Sequence, residues 1–111
     1  MGSTNSPVLR LAAVIAATHH EKWDGSGYPK GLAGNAIPIE GRIVAVADVF
    51  DALSSARPYK EAFPIDRCLK ILIDSRGKHF DPRVLDAFLR RKEEAISVRE
   101  DYVDFDRDDI L

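Results

Sequence analysis

The sequence has a single cysteine, no long apolar run and little net charge. One thiol, Cys68, excludes a disulfide framework and a cysteine-based metal site, because both need several cysteines. No stretch approaches the ~18 apolar residues of a membrane-spanning helix, and no secretory signal is evident, so we expect a cytoplasmic protein without membrane contact. A net charge of -2 is too small in magnitude to indicate general nucleic-acid binding.

What is present is typical of one small globular domain. A chain of 111 residues, 45% hydrophobic and 31% charged, is long enough for one core and too short for two. We interpret residues 1–5 as expression-derived or flexible and residues 6–96 as the domain. Residues 97–111 read as an acidic tail, because carboxylates outnumber arginines there.

Apolar periodicity predicts an all-α fold of about four helices. The predicted helices run from Ser6-Pro7 to His20, from Ile39 to about Ser54, from about Pro64 to Arg76, and onward from Asp81-Pro82. Several glycines and prolines in residues 24–38 predict a long loop with no regular element.

The same periodicity predicts which helical faces are buried. The first helix has an apolar stripe that we expect to be buried, formed by Val8, Leu11, Ala12, Ile15 and His19. The second helix is apolar on nearly all sides, and the third places Cys68 inward, so we assign Cys68 to the core.

Two adjacent histidines, His19 and His20, stand at the end of the first predicted helix. Histidine is the commonest metal ligand, but neighbours on an ideal helix diverge by about 100° and do not readily chelate one ion. They could instead reach two ions, which lie about 3.5–4 Å apart in two-metal sites. The alternative interpretation is one core histidine and one surface histidine.

A carboxylate, Asp48, interrupts the apolar second helix. An ionised carboxylate in such a place needs a cation, a hydrogen bond or a metal ion, since its burial costs several kcal/mol. An exposed face or a salt bridge would also explain Asp48. Together with the two histidines, a metal ligand is the better interpretation.

Other polar residues carry weaker signals. Arg57 and Lys60 follow the second helix and suit phosphate, although alone they resemble an ordinary solvated turn. Tyr28 either contacts a ligand or packs under the loop. We interpret His79 as structural or capping.

Four motifs in the expected order resemble those of HD-GYP domains. Residues 19–29 read His-His-Glu-Lys-Trp-Asp-Gly-Ser-Gly-Tyr-Pro and are similar to the block that names these domains. Residues 42–53 resemble the next helix of the family, and residues 57–60 and 77–82 resemble two later motifs. The resemblance implies an all-helical, metal-dependent phosphohydrolase that hydrolyses cyclic di-GMP, a bacterial second messenger.

The resemblance also implies roles for individual residues. It implies that His19, His20 and Asp48 are metal ligands that hold iron or manganese as one or two ions. It also implies that Tyr28, Arg57 and Lys60 lie near a bound dinucleotide. As carboxylates that support the ligands or order the loop, we assign Glu21 and Asp24, and Asp51 could join either set.

One departure from the HD-GYP pattern stands out. The family has a His-Asp dipeptide and further histidines on earlier helices, whereas this sequence has three histidines and no such dipeptide. The chain therefore resembles the C-terminal part of the domain. We expect weak metal binding, no useful hydrolysis of cyclic di-GMP by the chain alone, and self-association through helix faces that lack a partner.

Two other functions remain open from the sequence. The chain could belong to a catalytically inactive HD-GYP-like module that binds protein partners through its Gly-Tyr-Pro loop. It could also belong to another HD-superfamily phosphohydrolase that acts on nucleotides.

Overall fold

A computed structural model describes residues 6–98 and consists of helices joined by loops. The four α-helices are α1 (Pro7–Thr18), α2 (Ile39–Ser54), α3 (Ile65–Asp74) and α4 (Pro82–Arg90). A short 3-10 turn, Gly34–Ala36, interrupts the long loop after α1, and residues 92–98 are again helical. The predicted all-α fold is confirmed. The interpretations of residues 1–5 and of most of the acidic tail lie outside the described residues.

Local sequence signals start two of the helices. The Ser6 side chain accepts a hydrogen bond from the Leu9 amide, with proline at the next position, so α1 begins as predicted. The Asp81 side chain accepts from the Arg83 amide at the start of α4 in the same way. The second helix has the predicted span, while α1 and α3 end two residues earlier than predicted.

The core lies among α2, α3, α4 and the turn that precedes α4. Its buried members are Ala45, Val46, Phe50, Cys68, Leu72, Phe80 and Leu85. Cys68 is fully buried and its thiol approaches the Phe63 carbonyl, which confirms the core assignment. The core therefore holds α2 as the central helix, and α2 is the helix that carries Asp48.

The predicted burial of the α1 stripe is wrong for Val8, Leu11 and Ala12, which are exposed, whereas Ile15 and His19 are half-buried. Val8 is 74% exposed and Leu11 is 46% exposed, and the buried residue of α1 is Thr18 at its end. Ile43 on α2 is also half exposed. Periodicity identifies the apolar face of a helix, but burial also needs a neighbour on that face. Self-association through these faces stays a prediction.

The end of α1 is fixed against the start of α2 by a close contact. Gly41 faces Thr18, and a Cβ atom at position 41 would lie 2.9 Å from the Thr18 Cβ. The Thr18 hydroxyl in turn donates to the Val14 carbonyl at 2.6 Å. This contact places His19 and His20 beside α2. No helix within residues 6–98 is long and apolar enough to cross a bilayer.

A buried ion pair connects α2 to the start of α4. The Arg42 guanidinium donates to the Asp81 carboxylate at 2.9 Å and to the Ile37 carbonyl at 2.8 Å. Burial alone would raise the pKa of Asp81. The hydrogen bonds from Arg42 and the Arg83 amide, together with the two arginine charges, outweigh burial, and the pKa of Asp81 is lowered.

We expect this ion pair to make the fold acid-sensitive. A carboxyl group whose pKa is lowered by folding stabilises the fold above its unfolded pKa of about 3.9, and that contribution is lost as pH falls through the folded value. Replacing the carboxylate in Asp81→Asn should cost about 1–2 kcal/mol at pH 7 and make the acid dependence shallower. Urea unfolding between pH 7 and pH 2.5 measures both effects. The exposed Asp66→Asn is the control, and equal acid profiles for wild type and Asp81→Asn would contradict the prediction.

Candidate functional site

The two histidines lie just beyond the last residue of α1. His19 caps the helix, with its amide donating to the Ile15 carbonyl at 2.9 Å, and His20 follows it in the turn. Their ring centroids are 3.9 Å apart, with the planes tilted by 42°. The pair therefore does not diverge as it would within an ideal helix, because the regular helix ends at Thr18.

The His19 imidazole is oriented by the backbone of its own helix. Its Nδ1 lies 2.9 Å from the Ile15 carbonyl oxygen, which accepts only when Nδ1 carries the proton. The lone pair is then on Nε2, the nitrogen that remains for a ligand. A hydrogen bond of this kind is typical of histidines that bind metals.

A cavity of about 430 Å³ brings together the predicted metal ligands. His19, His20 and Asp48 all line it, with Tyr28 beside them. The remaining lining residues are Lys22, Ala45, Val49, Ala52, Leu53 and His79. Asp48 is exposed in the described chain, so water solvates its carboxylate.

The imidazoles and the carboxylate are chemically suitable metal ligands, but they do not form a complete metal site by themselves. Two imidazoles and one carboxylate are a ligand set that iron and manganese accept. Among residues 6–98, however, no three histidine, cysteine, aspartate or glutamate side chains lie close enough to hold one ion. A site on this wall therefore needs side-chain movement and further ligands.

The Gly-Tyr-Pro loop contacts His20, which remains exposed. The Tyr28 ring stacks on the His20 imidazole with centroids 4.8 Å apart and planes 20° apart, yet Tyr28 remains 60% exposed. The Tyr28 amide donates to the His20 carbonyl at 3.2 Å. Gly27 permits this approach, because a Cβ atom there would lie 2.5 Å from the Lys22 nitrogen and 2.7 Å from the Glu21 Cα.

Glu21 holds the same loop from inside. Its side chain is 2% exposed, and the two carboxylate oxygens accept hydrogen bonds from the Lys30 amide at 2.9 Å and the Leu32 amide at 2.8 Å. Glu21 does not line the cavity. Its contacts order the loop that places Tyr28 on His20.

Asp24 organises the turn between Trp23 and Tyr28. Its carboxylate accepts from the Ser26 hydroxyl at 2.6 Å and from the Ser26 amide at 2.9 Å. These two hydrogen bonds lower the pKa of Asp24, and the nearby Lys22 charge adds to them. Asp24 is exposed and also lies outside the cavity lining.

The predicted phosphate contacts Arg57 and Lys60 lie outside the cavity, at the end of α2. The Lys60 ammonium group donates to the carbonyls of Leu53, Ser55 and Glu61 at 3.4, 3.1 and 2.8 Å. The Arg57 guanidinium is 3.5 Å from the Asp51 carboxylate, which also accepts from the Ser55 hydroxyl. In this arrangement the Arg57 and Lys60 side chains contact residues at and after the end of α2, and neither contacts the histidines.

Sequence reasoning missed Lys22 and His79 as cavity residues. Burial and the Lys22 charge lower the pKa of His79, against a smaller opposing effect of Asp24, so its imidazole is neutral at pH 7. The ring stacks on Phe80 with centroids 4.4 Å apart. The motif at residues 77–82 contains His79, but the contact that brings His79 to the loop joins distant parts of the chain, so the motif alone does not predict its place in the cavity.

A profile of the HD domain matches residues 3–84, and the cavity lies within that range. The chain belongs to the HD-domain family. HD-domain phosphohydrolases generally depend on a metal ion, which agrees with the imidazoles and the carboxylate on one wall of the cavity.

Three proteins of known or assigned activity resemble this HD domain. A cyclic di-GMP phosphodiesterase response regulator of Xanthomonas campestris, RpfG, is 62% identical over 89 residues, which is 80% of this chain and 23% of that protein. A cyclic di-GMP phosphodiesterase of Vibrio cholerae is 50% identical over 89% of this chain and 20% of its own length. A crystal structure of a cyclic GMP-AMP specific phosphodiesterase from V. cholerae superposes with a TM-score of 0.63 at 28% identity, over 75% of this chain and 19% of that one.

These similarities confirm the predicted resemblance to HD-GYP domains. The chain spans about a quarter or less of the length of the relatives compared here. The similarities therefore establish the family of this HD domain, and they do not by themselves establish that it shares the ligands or the activity of the whole relatives.

Proposed function

We propose that this HD domain is part of a metal-dependent cyclic di-GMP phosphodiesterase in the bacterial cytoplasm. The observation that carries the proposal is the common cavity of His19, His20 and Asp48. Two relatives with 50% and 62% identity are named as cyclic di-GMP phosphodiesterases, which supports this substrate, and the solved relative is specific for cyclic GMP-AMP, another cyclic dinucleotide.

We infer that His19, His20 and Asp48 each bind a divalent metal, iron or manganese, as one or two ions. A bound metal of this type supplies an acidified water and charge stabilisation for phosphodiester hydrolysis. The hydrogen bond to Ile15 keeps Nε2 of His19 available for the ion. The Tyr28 ring restricts the movement of the His20 imidazole by stacking on it.

Three donors are fewer than a two-metal centre needs, so we expect the remaining ligands to come from outside residues 6–98. This chain alone should therefore bind metal weakly and should not hydrolyse cyclic di-GMP at a useful rate. The spacing of the donors, which form no closed set within residues 6–98, supports that expectation.

A second candidate function is docking of a protein partner onto the Gly-Tyr-Pro loop. The exposed Tyr28 ring favours it, because tyrosine is enriched at protein interfaces. The two functions differ in which side chains matter. Docking depends on Tyr28 and the loop surface, whereas hydrolysis depends on His19, His20 and Asp48.

A chimeric enzyme tests the proposed hydrolysis. Residues 8–89 of this chain would replace the matching segment of the X. campestris relative, which is 62% identical. We expect metal-dependent hydrolysis of cyclic di-GMP to persist. The His20→Ala and Asp48→Ala chimeras should each lose at least about 100-fold in activity, beyond the usual effect of residues that only support a ligand.

The control chimera carries Asp51→Ala, which alters the same helix outside the cavity and should change activity much less. A folded, metal-loaded chimera without hydrolysis would contradict the proposal. Equal losses from Asp48→Ala and Asp51→Ala would contradict the assignment of Asp48.

A further inference from the structure

The last residue of α1 packs directly on a glycine of α2. Thr18 is 5% exposed, and the buried Gly41 lies opposite it. A Cβ atom at position 41 would lie 2.9 Å from the Thr18 Cβ and 3.3 Å from the Ile37 Cγ2. Carbon atoms in contact are about 3.5–4.0 Å apart, so a side chain at position 41 would displace α1 from α2 by about 1 Å. The close approach of the two helices therefore depends on glycine at this position.

The Thr18 side chain has a defined orientation at this contact. Its hydroxyl donates to the Val14 carbonyl at 2.6 Å, a local hydrogen bond that threonine commonly makes in helices. The same hydroxyl oxygen is the atom nearest to the position of an added Cβ at Gly41. Thr18 therefore places its hydroxyl oxygen, which is smaller than a methyl group, against α2.

The contact between Thr18 and Gly41 is close in sequence to both parts of the candidate metal site. The two histidines directly follow Thr18, and Asp48 lies seven residues after Gly41, two turns along the same face of α2. Ala45 lies between Gly41 and Asp48 on that face and lines the cavity. The position of α1 on α2 therefore determines how far the two imidazoles are from the Asp48 carboxylate.

We propose that Thr18 and Gly41 are positioning residues of the metal site, since their contact sets the distance between the histidine pair and Asp48. That the site binds a metal ion rests on the proposed function. Neither Thr18 nor Gly41 lines the cavity, so both act through the ligands and not on the ion. Metal–ligand distances vary by only about 0.2 Å, less than the displacement of about 1 Å that a side chain at position 41 requires.

Manganese binding by variants of the contact tests the positioning role. Each variant chain would be titrated with Mn²⁺ and followed by electron paramagnetic resonance. We expect Gly41→Ala to bind Mn²⁺ at least about tenfold more weakly than wild type, and to alter the line shape of the bound ion, although all three ligands remain. Thr18→Val replaces the hydroxyl with a methyl group and should weaken binding about fivefold. Thr18→Ser keeps the hydroxyl and should bind within about twofold of wild type.

Gly34→Ala is the control for a loss of stability without helix displacement. An added Cβ at position 34 has no atom within 4 Å, and the φ of +56° strains an alanine there. We expect Gly34→Ala to bind Mn²⁺ within about twofold of wild type, because the change is distant from the contact between α1 and α2. Circular dichroism identifies the folded variants. If Gly41→Ala does not fold, the comparison of Thr18→Val with Thr18→Ser decides the result.

Nuclear Overhauser effects in the metal-free chain test the contact itself. We expect them between the Thr18 side chain and the Gly41 α protons, and their absence would overturn the proposal. If Asp48→Asn weakens Mn²⁺ binding but Gly41→Ala does not, or if Thr18→Val and Thr18→Ser bind equally, the positioning role is wrong and the metal site stands. Mn²⁺ binding that does not depend on Asp48 would contradict the metal site and the positioning role together.

Discussion

Gly27→Ala should destabilise the chain by about 3 kcal/mol, at the upper end of the usual range for overpacking. The added Cβ atom would clash with three backbone atoms of residues 20–22, namely the His20 carbonyl oxygen, the Glu21 Cα and the Lys22 nitrogen. Backbone cannot change rotamer to make room, so the loop itself must move. That movement would separate Tyr28 from His20. Urea unfolding followed by the fluorescence of Trp23, the sole tryptophan, measures the change.

The control for Gly27→Ala lies in the same loop. Gly34 has a φ of +56° and no atom within 4 Å of an added Cβ. Gly34→Ala should therefore lower the free energy of unfolding by only about 1–2 kcal/mol, the strain of an alanine in the left-handed conformation. Loss of the Tyr28–His20 stacking should appear as shifted His20 ring signals in Gly27→Ala alone. A Gly27→Ala variant as stable as Gly34→Ala would show that the close contact does not hold the loop.

Glu21→Ala should lower the free energy of unfolding by about 3 kcal/mol, for a different reason. The carboxylate is buried and receives two loop amides, and its removal leaves the Lys30 and Leu32 N–H groups without an acceptor. Each unsatisfied buried donor costs about 1–3 kcal/mol, although a loop that opens to water recovers part of it. Glu21→Gln keeps one acceptor oxygen and should lose about half as much. Urea denaturation measures all variants.

Glu61→Ala is the control for Glu21→Ala, because Glu61 is an exposed glutamate and should change stability by less than about 0.5 kcal/mol. Amide hydrogen exchange adds a local test. In Glu21→Ala the amides of residues 30 and 32 should exchange faster than in wild type, while α3 amides change only with global stability. Unchanged protection of both loop amides would mean that Glu21 does not order the loop.

The sequence was sufficient where structure is determined locally. Ser6 and Asp81 mark helix starts because a capping side chain acts within three residues, and the long apolar pattern from Ile39 identified the whole of α2. The core position of Cys68 followed from helical spacing in the same way. These features need no knowledge of distant contacts.

The sequence was insufficient where a distant contact decides the result. The stripe containing Val8 and Leu11 is apolar by pattern but exposed, because burial depends on a neighbouring element. His79 reaches the cavity through a main-chain hydrogen bond from Trp23, which no side-chain pattern encodes. The role of Lys60 as a phosphate contact stays a prediction, because its ammonium group contacts nearby backbone carbonyls in the chain without a ligand.

Manganese binding measured by electron paramagnetic resonance tests most directly whether His19, His20 and Asp48 share a metal site. Free Mn²⁺ would be titrated against the wild-type chain, Asp48→Asn and the control Asp51→Asn, whose carboxylate lies one helical turn away and contacts Arg57 and Ser55. We expect weak binding by wild type, at least about tenfold weaker binding by Asp48→Asn, and affinity within about twofold of wild type for Asp51→Asn. Equal Mn²⁺ affinity in wild type and Asp48→Asn would contradict the shared site.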